Sequence, residues 1–203
     1  MSTARTRLAA VERRAALIDV ALQVFSALSY RGATTAEIAR EAGVTEPILY
    51  RHFGSKRDLF LACLDEVWCR LREAVEDEIS GEPDPAGWVL AVPRAMTSLR
   101  RRRLAPTQLW LQALSEATED VEIRRHFRRH LREMHDYVAD VLRRAQAAGG
   151  IRAERDVDAE AWIGLGLGLL RSVQDRFGGL LGDEEIEAIS TARVRWLTGG
   201  DLH

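Results

Sequence analysis

Three helix-start signals crowd into residues 34–58 of this 203-residue chain, and that crowding restricts the local fold to short helices. Thr34 and Glu37 form a T-x-x-E capping box, in which each side chain serves the other residue's backbone N–H. Gly43 is placed to end that helix in the left-handed conformation that glycine adopts without steric cost. Thr45 can cap the next helix, with Glu46 and Pro47 in its first turn, where an acid suits the helix dipole and proline loses no needed hydrogen bond. Ser55 and Asp58 repeat the capping pattern ahead of an apolar stripe at Phe60, Leu64, Val67, Trp68, Leu71 and Val75. The punctuation predicts two short helices, 34–42 and 46–52, followed by a long one.

Helical periodicity extends to the rest of the chain. From Ala9 to Ala27 the apolar residues gather on one helical face. The breaks "GEPDP" at 81–85, Pro106, "TED" at 118–120, "GG" at 149–150 and "GGLLGD" at 178–183 divide the remainder into about five helical segments. "IGLGLGLL" alternates with period two, but its acidic helix-start flank "DVDAEAW" and the following "RSVQDRF" favour a helix, with Gly164 and Gly168 on one close-packed face. Pro93 is expected to interrupt a helix starting near Ala86 and to free the Val89 carbonyl. The expectation is an all-α fold.

Composition excludes several classes. Hydrophobic content of 46% and charged content of 30% fit a globular protein with a real core. No run of 18 apolar residues is present and the N-terminus lacks a signal-peptide centre, so a cytoplasmic protein without a membrane partner is expected. Cys63 and Cys69 would lie about 9 Å apart along one helix, too far for a disulfide. The net charge of -2 conceals an asymmetry: residues 1–58 hold nine Arg or Lys against six Asp or Glu, and residues 59–203 hold 20 against 25. The N-terminal quarter is therefore the part suited to an anion. No Glu-x-x-His pair or nucleophile motif marks an enzyme, and no cofactor is implied. His126 and His130 are one turn apart, but Arg124, Arg125, Arg128 and Arg129 oppose a cation, so no metal is expected.

The two short helices, joined by a glycine-containing turn, with Ala39 at their crossing and Ile38, Val44 and Leu49 as apolar anchors, satisfy helix-turn-helix geometry. Spacing alone leaves an ordinary helical hairpin open. The outward set Thr45, Glu46, Ile48, Arg51 and His52, with Lys56 following, is not a core set. The stretch "GATTAEIAREAGVTEPILYRHFGSKRDLF", residues 32–60, resembles the DNA-binding signature of the TetR-type family of bacterial transcriptional repressors, with caps, crossing residues, the "LY-x-x-F" core and the "SK" in register. "GGIRAERDVDAEAW" is also similar to many members.

That resemblance implies a homodimer with a three-helix DNA-binding domain at 1–58 and a larger helical ligand-binding and dimerisation domain at 59–203. It implies that Thr34 and Thr35 meet phosphate and that Thr45, Glu46, Pro47 and Ile48 occupy the front of the recognition helix. Tyr50, His52 and Lys56 match backbone-contacting positions, and Arg51 stands where the family varies. Where members frequently carry Lys-Gly-Thr, this chain has Glu46-Pro47-Ile48; an acid can accept from a cytosine amino group and Ile48 can pack on a thymine methyl. Arg5 and Arg7 could reach a minor groove.

For the remainder, Trp88, Met96, Trp110, Met134, Tyr137 and Trp162 are candidates to line an apolar ligand pocket, with ordinary core packing as the alternative for each. The dimer seam is expected on helices at 157–177 and 183–198, through Gly164, Leu165, Gly168, Val173, Ile186, Ile189 and Trp196. The function expected is a sequence-specific repressor binding a palindromic double-stranded operator as a dimer and released by a small-molecule effector. The alternative is a DNA-binding or protein-interaction module without small-molecule induction.

Overall fold

A computed structural model describes residues 2–101 and 107–200, except the side chains of residues 2–9, Thr107 and Asp175. The Arg5 and Arg7 side chains and the Pro106 break lie outside the described residues. Nine α-helices appear among the described residues: α1 (Ser2–Gly32), α2 (Thr35–Glu41), α3 (Glu46–His52), α4 (Lys56–Ser80), α5 (Ala91–Arg101), α6 (Thr107–Glu116), α7 (Val121–Ala147), α8 (Val157–Phe177) and α9 (Asp183–Thr198). A 3-10 helix, Pro85–Leu90, precedes α5, and no strand occurs among the described residues, so the all-α expectation holds. No described helix is long and apolar enough to cross a membrane.

Two local expectations need correction. The first helix is longer than 9–27 and breaks at Ser29, whose backbone stands at φ 68 and ψ 168. Only glycine occupies that region cheaply, and another residue there costs about 1–3 kcal/mol. Pro93 does not kink a helix begun near Ala86. The 3-10 helix ends at Leu90, and Pro93 falls in the first turn of α5, where its missing N–H costs nothing.

The chain forms two compact units, residues 1–67 with 108–127 and residues 68–107 with 128–203. Packing thus groups α6 and the start of α7 with the N-terminal helices, a division that differs from the boundary expected at residue 58. In the first unit, Leu17, Ile18, Ala21 and Phe25 of α1 are buried together with Ile38, Leu49, Phe53 and Phe60, and the Phe25 and Phe60 rings meet edge-on at 5.3 Å. Removing this apolar surface from water is what holds such short helices in place, because helices of two turns are not stable alone.

In the second unit, Val89, Val138, Leu142, Ile151, Val157, Val194 and Leu197 form the core. The turn after α7 enters it through Gly149, at φ 83, and Gly150. A Cβ on Gly150 would lie 2.3 Å from the Pro85 carbonyl carbon, so only glycine permits this backbone approach.

Candidate nucleic-acid interface

The helix-turn-helix is assembled by the caps that the sequence announces. The Thr34 hydroxyl accepts from the Glu37 N–H at 3.1 Å, and the Glu37 carboxylate accepts from the Thr34 N–H at 2.9 Å and the Thr34 hydroxyl at 2.8 Å. These bonds from Thr34 hold the Glu37 carboxyl below its ordinary value. Gly43 takes the left-handed conformation at φ 64, and the Val44 N–H closes the turn on the Ala39 carbonyl at 2.9 Å. Ala39, 2% exposed, lets α2 and α3 cross closely. The Ser55 hydroxyl accepts from the Asp58 N–H at 3.0 Å, starting α4.

Thr45 departs from the expected cap: its hydroxyl makes no capping bond. The N-cap side chain ordinarily accepts from the second or third N–H of the helix. Here the second residue is Pro47, which has none, and the Ile48 N–H goes to the Thr45 carbonyl at 2.9 Å.

Of the ten expected DNA-facing residues, Thr34, Thr45, Pro47, Tyr50 and Arg51 are exposed and Thr35, Glu46, Ile48, His52 and Lys56 are half-buried. Leu49 and Phe53 turn inward at 1% and 5% exposure. Tyr50 is 47% exposed, so it is not a core residue, and its hydroxyl lies 3.1 Å from that of Thr35. The Thr35 hydroxyl in turn donates to the Glu46 carboxylate at 2.6 Å. Lys56 is partly engaged within the protein: its Nζ donates to the Ala33 carbonyl at 3.0 Å and lies 4.6 Å above the Tyr30 ring. An ammonium has three donors, so the Ala33 carbonyl and the Tyr30 ring leave it capacity for an outside acceptor. Arg14 of α1, absent from the sequence expectation, lies 4.9 Å above the Phe53 ring. Its four-residue spacing from Ile18 on α1 gives no sign of that tertiary contact.

On another side of the same unit, polar contacts tie the N-terminal helices to α6 and the following turn. Gln112 Nε2 donates to the Phe25 carbonyl at 2.9 Å, one turn before the break at Ser29. Arg31 bridges Glu116 and Glu119, and Arg57 donates to Asp120 at 3.3 Å. Burial, Asp120 and Glu116 together push the Tyr30 hydroxyl up. None of these long-range pairs has a local sequence signal.

The expected pocket and seam residues are distributed as follows. Trp110 is buried in the first unit, whereas Trp88, Met96, Met134, Tyr137 and Trp162 belong to the second. Met134 is buried at 1% and Trp162 is 43% exposed, stacked on His135 at 4.4 Å. The Tyr137 hydroxyl donates to Glu76 at 2.8 Å; burial, then this carboxylate, push it up. A surface hollow of about 260 Å³ in the second unit is lined by Asp77, Glu78, Gly81, Glu82 and Arg94, none of them among the six.

Gly164 and Gly168 share one face of α8. A Cβ on Gly164 would meet the Arg193 guanidinium at 2.9 Å, and one on Gly168 would meet Met96 Sδ at 3.9 Å, so both open onto this chain's own side chains. Leu165 packs against the second unit's core. A Cβ on Gly166 would meet nothing within 4 Å. Trp162, Gly166, Leu169 and Phe177 are exposed with half-buried Val173 between them, an outward stripe at four- and three-residue spacing. On α9, Trp196 is 55% exposed, and Ile186 and Ile189 are half-buried.

Comparison with known proteins bears on this arrangement. Residues 17–63 match the model described as bacterial regulatory proteins, tetR family, and residues 85–167 match the BetI-type transcriptional repressor C-terminal model. The chain is 35% identical over 115 residues to the HTH-type transcriptional regulator BetI of Rhizobium meliloti, covering 56% of each chain, so it spans about half the length of that relative. It is 31% identical over 166 residues to the regulator ArpR of Pseudomonas putida, covering 77% of each. The fold superposes on a solved structure of AibR, in complex with isovaleryl coenzyme A and operator DNA, at a TM-score of 0.64 and 22% identity, covering 92% of this chain and 98% of that one.

Proposed function

Because the chain belongs to the tetR family of bacterial regulatory proteins, which are DNA-binding transcription regulators and not enzymes, we propose that it is a repressor that reads a palindromic operator as a homodimer and is released by a small apolar or aromatic ligand. In this reading residues 1–58 bind DNA and residues 59–203 bind the effector and dimerise. The observation that carries it is the outward face of α3, where Thr45, Pro47, Tyr50 and Arg51 stand exposed while Leu49 and Phe53 anchor the helix from behind. Hydroxyl and guanidinium donors suit phosphate, and a helix of this size suits the major groove.

The exposed α8 stripe, with Trp196 on α9, supports dimerisation, because such a contiguous apolar stripe is otherwise left in water. Two recognition helices must then stand about 34–36 Å apart, or a suitable multiple, to read a palindrome, and a ligand that favours another spacing opposes DNA. A ligand-binding role is supported by the AibR complex, in which a similar fold holds isovaleryl coenzyme A and operator DNA together. The bulky residues Trp88, Met96, Trp110, Met134, Tyr137 and Trp162 make apolar or aromatic ligands the class to screen.

Selection of bound sequences from a random DNA pool tests the reading. A two-fold symmetric consensus, with binding that weakens steeply with salt but keeps its sequence preference, is the expected result. A pool returned without enrichment overturns it. For the dimer, a monomer in size-exclusion chromatography at micromolar concentration is the contrary outcome.

A further inference from the structure

The hydroxyl groups at the reading head are directed, and the direction is set by one carboxylate. Thr35 Oγ1 lies 2.6 Å from Glu46 Oε1 and 3.1 Å from the Tyr50 hydroxyl. A carboxylate only accepts, so the single Thr35 proton goes to Glu46. The Thr35 oxygen is left as an acceptor, and the Tyr50 hydroxyl is the group that donates to it. The order is therefore Tyr50 to Thr35 to Glu46, a chain crossing from α3 to the first residue of α2 and back to the first residue of α3. Thr34 is committed in the same way, its proton going to Glu37 at 2.8 Å.

Both threonine protons are thus held by this chain's own carboxylates, through charge-assisted bonds stronger than neutral ones. Phosphate is also only an acceptor. Of the Thr34, Thr35 and Tyr50 hydroxyls, Tyr50 alone can turn to a phosphate at the cost of a neutral hydrogen bond, and when it does the Thr35–Glu46 bond stays intact. The front of α3 consequently presents an oxygen acceptor of fixed aim. Cytosine N4 and adenine N6 carry the amino donors that such an acceptor recognises, whereas guanine O6 and thymine O4 repel it.

We infer that Glu46 determines operator specificity as a carboxylate aimed by Thr35, selecting a base with an exocyclic amino group, while Tyr50 is the exchangeable donor that leaves Thr35 for phosphate. The inference rests on the DNA-reading function proposed above.

Selection from the random pool is repeated with Thr35→Val, Thr35→Ser, Glu46→Gln and Tyr50→Phe in the full chain, each first verified by circular dichroism. Thr35→Val retains the Glu46 carboxylate, yet it should lose about tenfold of the preference for cytosine or adenine at one operator position, and Glu46→Gln should lose it at that same position. The double variant should lose no more than either single change. Thr35→Ser keeps the hydroxyl and should restore the preference. Tyr50→Phe should weaken all sequences alike and leave the preference unaltered. Unchanged preference in Thr35→Val, or additive losses in the double variant, overturns the inference while the function stands. If Thr35→Val does not fold, loss of preference in Thr35→Ser, or its survival in Glu46→Gln, overturns it instead. A wild-type chain that selects no sequence overturns the function and the inference together.

Discussion

The outward face of α3 and the outward stripe of α8 are equally open to solvent but differ in chemistry. The first shows Thr45, Tyr50 and Arg51, and the second shows Trp162, Leu169 and Phe177. Exposure marks both as surfaces with work to do, and chemistry separates the partners. Donors to phosphate make contacts that salt screens and that must be made and broken, whereas apolar surface is buried best against another apolar surface and is not weakened by charge screening. The proposed function, in which the operator is released and the partner subunit kept, calls for that difference.

The comparison can be broken first at α8. Leu169→Asp with Phe177→Asp should raise the dimer dissociation constant at least about 100-fold, the scale of losing two buried anchors, and leave helicity unchanged; analytical ultracentrifugation reads it. Unaltered self-association would remove α8 from the seam. Gly150→Ala should cost about 2–3 kcal/mol in urea unfolding, because its Cβ would meet backbone and not a flexible side chain.

Next in size is Lys56→Ala. Its loss should weaken binding about tenfold on all sequences alike and reduce the salt slope by about one. The lost bond to the Ala33 carbonyl should also lower stability by about 1 kcal/mol. A stability loss with unaltered DNA affinity would confine Lys56 to ending α1. The smallest effect is in pH. Burial raises the Glu76 carboxyl, but bonds from Arg144 and Tyr137 outweigh it and leave the group below its ordinary 4.5. Its folded value being depressed, the stabilisation is present above that pH and is lost as pH falls below it. The melting temperature of Glu76→Gln should therefore fall less steeply with acid than that of the wild type.

What the sequence made legible was local. The Thr34–Glu37 box, the Gly43 turn and the Ser55–Asp58 cap are contacts five residues apart or fewer, so composition and spacing reveal them. The limits of α3, α8 and α9 followed from the same signals. Rotational phase was harder. Gly164 and Gly168 do share a face of α8, but which face meets Arg193 and Met96 depends on α9 and α5, and Gly166 proved to be the outward glycine. The spacing of Trp162, Gly166, Leu169, Val173 and Phe177 held that information, masked by an unbroken apolar run on all sides. The Thr35–Glu46 bond spans 11 residues and exists only once α2 and α3 are crossed, so no pattern could announce it.

Ser29 gives the N-terminal unit a debt that its neighbours settle. A serine at φ 68 and ψ 168 favours some other backbone arrangement, and it is kept from it by Gln112 on the Phe25 carbonyl, by Arg31 on Glu116 and Glu119, and by Lys56 on Ala33. The end of α1 is thus held like a drawn spring, with its catch made of residues from α4, α6 and the turn after α6. Tyr30 and Ala33, the residues on which Lys56 rests, stand within four residues of that strained serine.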